Sequence, residues 1–125
     1  MYEPYKWAIY TMDKAYVDLE ALYRMTENET YFVTRAKTPM KYEVVETNYN
    51  INDLVGIVGD KTIRFTGYAS RKKYPKDLRI VEFYDAEKEE VIIFLTNNFE
   101  LGPLVIANIY RNRWQIESFF YDKHI

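Results

Sequence analysis

The sequence contains no cysteine, which removes disulfide frameworks, thiolate metal sites and cysteine nucleophiles from consideration. Its single histidine, His124, is the second-last residue, a poor place to build a serine–histidine triad. No apolar run approaches the ~20 residues that cross a bilayer, and the N-terminus lacks a basic region followed by an apolar core and cleavage site. A cytoplasmic protein with no membrane partner is therefore expected. Ser/Gly linkers, internal repeats and low-complexity tracts are also absent, so the 125 residues fit one ordinary domain. A composition of 48% hydrophobic and 29% charged residues is that of a globular chain. At this length roughly two-thirds of the unfolded surface is buried on folding, enough for a core without staples.

Surplus positive charge is lacking as well, since the formal net charge is −2. A free-standing nucleic-acid binder needs a local excess of Lys and Arg. The excess is local here: residues 1–60 hold six basic against ten acidic side chains, and residues 61–125 hold eleven against nine. Thirteen Tyr and seven Phe could stack on bases, but strand packing is their commoner use.

Lys6–Met12 is a short apolar and aromatic run that reads as a buried strand, with Asp13 at its C-terminal end. Ala15–Arg24 carries apolar residues at helical spacing, with Asp18 and Glu20 near the start, where the helix dipole favours acid. Tyr31–Ala36 is rich in β-formers. The order strand, helix, strand predicts two parallel strands joined by a right-handed crossover, with functional groups at their C-terminal edge. Beyond Pro39 come β runs at Tyr42–Val45, Leu54–Val58, Thr62–Tyr68, Leu78–Tyr84 and Val91–Thr96. Asp85–Lys88 predicts a hairpin turn that pairs the last two as antiparallel neighbours. Gly102-Pro103 predicts the start of a helix running to about Phe120. Arg71, Lys72, Lys73 and Lys76 form one dense basic cluster, expected in a loop, which could contact DNA or simply be a solvated face.

Tyr110, Arg113 and Glu117 are spaced by three and then four residues, which aligns them on one helix face. Arg and Tyr suit phosphate oxygens, and a carboxylate is compatible with them if it holds a divalent metal. An ordinary Arg113–Glu117 surface pair is the competing reading of the same spacing.

IYRNRWQIESFF (109–120) resembles the Tyr, two residues, Arg, three residues, Glu signature of insertion-sequence transposases of the DDE type, in the family-four group. MDKAYVDLEALYRM (12–25) with YFVTRAK (31–37), LRIVEFYD (78–85) and FLTNNFEL (94–101) resemble further blocks of that family in the same order. The resemblance implies an α/β fold: a partial ribonuclease-H-like core over residues 1–38 and 100–125, interrupted over 39–99 by an antiparallel β-rich insertion. It also implies Mg²⁺-dependent DNA strand cleavage and transfer, with Mn²⁺ as a substitute ion. Asp13 matches the second catalytic aspartate and Glu117 the glutamate, both as metal ligands. Tyr110 and Arg113 match positions that contact the phosphates of transposon ends. The family's first aspartate precedes the second by a long stretch, whereas twelve residues precede Asp13, and His124 stands where the signature closes with lysine. The chain is accordingly expected to be inactive alone. The implied partners are DNA at transposon ends and a homodimer or an intact transposase. A second reading is a non-catalytic DNA-binding or dimerising module that interferes with an intact transposase.

Overall fold

The Asp18 carboxylate opens the first helix by accepting hydrogen bonds from the backbone N–H groups of Glu20 (3.1 Å) and Ala21 (3.2 Å). Two of the helix's four orphan donors are thereby satisfied. This is helix α1 (Leu19–Glu27) in a computed structural model that describes residues 8–12, 18–36, 40–48 and 56–112. The helix runs past Arg24, its expected end, because Thr26 has partners there. Its hydroxyl donates back to the Leu22 carbonyl (3.2 Å) and lies 2.7 Å from the Tyr74 hydroxyl. Glu29 then takes a left-handed φ of 57° to turn the chain into the next strand.

Strand β1 (Ile9–Met12) precedes α1 and β2 (Tyr31–Arg35) follows it. The two pair in parallel, Ile9 opposite Tyr31 and Met12 opposite Thr34, as the strand–helix–strand order predicts. The remaining described elements are β3 (Tyr42–Thr47), β4 (Ile57–Phe65), α2 (Tyr68–Lys73), β5 (Leu78–Asp85), β6 (Glu90–Thr96) and α3 (Pro103–Arg111). Among the described residues the strands form one sheet in the order β1-β2-β6-β5-β4-β3, and every pairing after β1–β2 is antiparallel. Strand β6 lies directly against β2, Val33 opposite Thr96, so strands from 1–38 and 39–99 share one continuous sheet.

Two sequence expectations need correction. The separate runs ending at Val58 and beginning at Thr62 are one strand, β4, whose register against β5 shifts between Ile57 and Gly59. A bulge of this kind absorbs Val58 without ending the ladder, and Gly59 resumes the pairing opposite Glu82. The Glu82 carboxylate occupies the space beside Gly59, so a Cβ there would displace it. The run also stops at Phe65 rather than Tyr68. Gly67 caps helix α2, and Arg71, Lys72 and Lys73 occupy its last turn, so these three are helical and Lys76 alone of the basic cluster lies in a loop. Tyr74, 1% exposed, anchors the end of that helix in the core.

The hairpin forms as expected. Asp85 accepts from the N–H groups of Glu87 (3.0 Å) and Lys88 (3.3 Å), and Asp85 pairs with Glu90 across the turn. Strands β2, β5 and β6 are buried on both faces, which explains their near-continuous apolar sequence. Successive residues alternate between two cores. Phe32, Ile80 and Leu95 pack with Leu22 of α1 and with Tyr74, whereas Val33, Val81 and Phe94 pack with Ile106 and Ala107 of α3. Helices α1 and α2 therefore cover one face of the sheet and α3 the other.

Candidate functional site

Helix α3 starts where the sequence places it, with Gly102 as cap and Pro103 at the first helical position. The loop leading into it is fixed from several sides. The Asn98 side chain accepts from the N–H groups of Glu100 and Leu101, both at 2.9 Å. Thr96 donates its hydroxyl to the Phe32 carbonyl (2.6 Å) and accepts from the Asn98 N–H (3.1 Å). Arg79 reaches the same loop from β5, donating through Nη1 to the carbonyls of Asn98 (3.0 Å) and Leu101 (2.6 Å). Its Nε and Nη2 form a two-pronged pair with Asp60 of β4, both at 2.9 Å, and Asn48 donates to the same carboxylate at 3.0 Å. The pair is buried, with side-chain exposures of 6% and 4%.

Sequence reading missed this strut. The signal was a charge at position 79 between Leu78 and Ile80, and no spacing rule connects residues 60 and 79 before the strands are paired. The strut ties β4 and β5 to the loop that leads into α3. The sheet-facing stripe of α3 is Ile106, Ala107 and Tyr110, and the Tyr110 ring lies 5.0 Å from that of Phe94. Tyr110, singled out as a phosphate contact, thus also packs on the sheet. Arg111 lies with its guanidinium 4.6 Å from the centre of the Phe83 ring and donates to Asn108 (3.3 Å). Arg113 and Glu117 lie outside the described residues, as does Asp13, which directly follows the last residue of β1. That strand end is anchored by the Thr34 hydroxyl, which donates to the Met12 carbonyl at 3.0 Å.

The basic cluster lies elsewhere. Arg71, Lys72, Lys73 and Lys76 are all exposed. Three of them occupy the C-terminal turn of α2, where cations are favoured by the helix dipole. The Lys76 ammonium sits 5.9 Å from the centre of the Tyr23 ring, which in turn meets Tyr74 edge-on at 5.3 Å. Burial pushes the Tyr74 hydroxyl up to about 12, against the opposing effect of its hydrogen bond to Thr26. Tyr74 consequently remains a neutral strut that holds α2 against α1. Tyr110 and the basic cluster are not brought together: α3 and α2 cover opposite faces of the sheet.

No helix among the described residues is long and apolar enough to cross a membrane. The transposase DDE domain family matches residues 1–122. The chain is 30% identical over 116 residues to "Putative transposase y4zB" of Sinorhizobium fredii, an alignment covering 90% of this chain and 32% of that protein. It is also 30% identical over 110 residues to "Probable transposase for insertion sequence element IS5377" of Geobacillus stearothermophilus, covering 86% of this chain and 28% of that protein. The chain thus spans about a third of the length of these relatives. With the match covering nearly all of its sequence, the chain belongs to the transposase DDE domain family.

Proposed function

We propose that this chain supplies part of a ribonuclease-H-like catalytic core of the family-four group, with residues 1–38 and 100–125 as core and 39–99 as a β-rich insertion. It acts in Mg²⁺-dependent cleavage and transfer of DNA strands at insertion-sequence ends. The observation that carries the reading is the parallel β1–α1–β2 unit, whose first strand ends immediately before Asp13. Functional groups collect at that edge of parallel sheets. Asp13 and Glu117 would hold Mg²⁺ or Mn²⁺. When bound, such ions activate the attacking hydroxyl and stabilise the leaving oxygen at phosphorus. Tyr110 and Arg113 would hold phosphates of the element end, and Arg71, Lys72, Lys73 and Lys76 would hold more distant backbone.

By the resemblance a further aspartate completes the ligand set, and two aspartates of the described residues are already engaged. Asp18 caps α1 and Asp60 is held by Arg79, so neither is available. Mn²⁺ titration followed by electron paramagnetic resonance tests the metal role. Asp13→Asn and Glu117→Gln are each expected to lower occupancy, and unchanged binding in both variants contradicts it. The interfering DNA-binding module is supported by the exposed basic helix, which needs no carboxylate. It predicts DNA affinity indifferent to Mg²⁺ and suppression of an intact transposase.

A further inference from the structure

Between α1 and α2 lies a groove of about 560 Å³. Glu20, Tyr23 and Arg24 line it from one helix, and Tyr68, Lys72 and Lys73 from the other. On α1 the spacing of three and four residues puts these side chains on one face, and on α2 Tyr68 and Lys72 are likewise one turn apart. Each wall therefore pairs an aromatic ring with a cation. Tyr68 is 86% exposed, so its ring contributes little to the core. Tyr23 is held from beneath by Tyr74, itself fixed to Thr26 at 2.7 Å.

We propose that this groove binds an unpaired stretch of DNA, with phosphates on Arg24, Lys72 and Lys73 and bases against Tyr68 and Tyr23. The proposal rests on the DNA-directed reading above and extends it to a new ligand and new residues. Duplex DNA would use the cations alone, because its bases are stacked inside the helix. An unpaired strand offers both anionic backbone and free π-faces, the combination that aromatic–basic grooves recognise. Glu20 is the one carboxylate facing three cations in the groove, and it sits a helical turn before Arg24. Since α3 lies across the sheet, this strand and any DNA held at Tyr110 are different stretches.

The test is fluorescence anisotropy of a labelled oligothymidine and of a duplex of the same length, using the whole chain. Tyr68→Ala is expected to weaken single-strand binding about ten-fold while duplex affinity stays within about two-fold. Tyr68→Phe should retain binding, and Arg24→Glu should reduce both affinity and its salt dependence. Position 68 is exposed and is expected to tolerate both changes, which circular dichroism checks. Wild-type affinity for the oligothymidine in Tyr68→Ala and Arg24→Glu overturns the groove assignment, while duplex binding would leave the broader DNA reading standing. Loss of duplex affinity in Arg24→Glu with no effect of Tyr68→Ala marks a duplex contact and overturns the unpaired-strand assignment. Failure of the unaltered chain to bind either DNA overturns both readings.

Discussion

Replacing Arg79 with methionine keeps the length of the side chain and removes every polar contact of the strut. The Asp60 carboxylate is then left buried without its cation, still accepting from Asn48, and the carbonyls of Asn98 and Leu101 lose a donor. Breaking one side of a buried ion pair costs about 3–5 kcal/mol. Against a total stability of about 5–15 kcal/mol for a domain, that is a large fraction. With urea slopes of roughly 1–3 kcal/mol per molar, the unfolding midpoint should fall by about 2 M. Removing both charges, as in Asp60→Leu with Arg79→Met, should cost less than the sum of the single changes by at least about 1 kcal/mol, because neither variant partner leaves a charge behind. Full recovery is not expected, since the Asn98 and Leu101 carbonyls remain without Arg79. Urea denaturation of the two single variants and the double variant measures the cycle. A cost below about 1 kcal/mol for Arg79→Met, or strict additivity, would refute the strut's role in fixing the start of α3.

Three other outcomes follow from the packing. Phe94→Ala deletes a fully buried ring between the sheet and Tyr110, and should cost about 3–5 kcal/mol in the same denaturation assay. Asp18→Ala removes the cap of α1 and should cost about 1 kcal/mol, with Asp18→Asn or Ser close to neutral. Tyr74 has a hydroxyl whose ionisation is raised from 10.0 to about 12 in the folded state. A raised value means its stabilisation is complete below pH ~10 and declines as pH climbs toward ~12, by about 1.4 kcal/mol per pH unit at most. Tyr74→Phe should lower stability at neutral pH through the lost Thr26 contact and flatten that alkaline decline, which thermal unfolding at stepped pH would read.

Local signals were legible where one residue type decides the geometry. Asp85 marks its turn, Pro103 marks the start of α3, and the apolar blocks around α1 yield the parallel pair. The last turn of α1 was not legible, because Thr26 is held in the helix by Tyr74, 48 residues away in sequence. Helix α2 was missed for a related reason: it has six residues, no side-chain cap and β-forming neighbours, and the residue that anchors its end, Tyr74, is buried by contacts distant in sequence. Strand β4 reads as two runs because Gly59 and Asp60 look like a turn, yet Gly59 pairs with Glu82 just after the bulge and Asp60 is the buried partner of Arg79. Motif spacing predicts Tyr110, Arg113 and Glu117 on one helix face, and the last two lie outside the described residues; the side of the sheet on which the basic cluster falls depends on strand pairing that no local spacing reveals.

The most direct measurement of the account is affinity for an insertion-sequence-end duplex as a function of salt. If Arg71, Lys72, Lys73 and Lys76 neutralise phosphates, log K against log salt should be linear with a slope of about −3 to −4, falling in magnitude by roughly one for each lysine replaced by glutamine. A slope near zero, or no affinity at low salt, would contradict the claim that this chain acts on DNA.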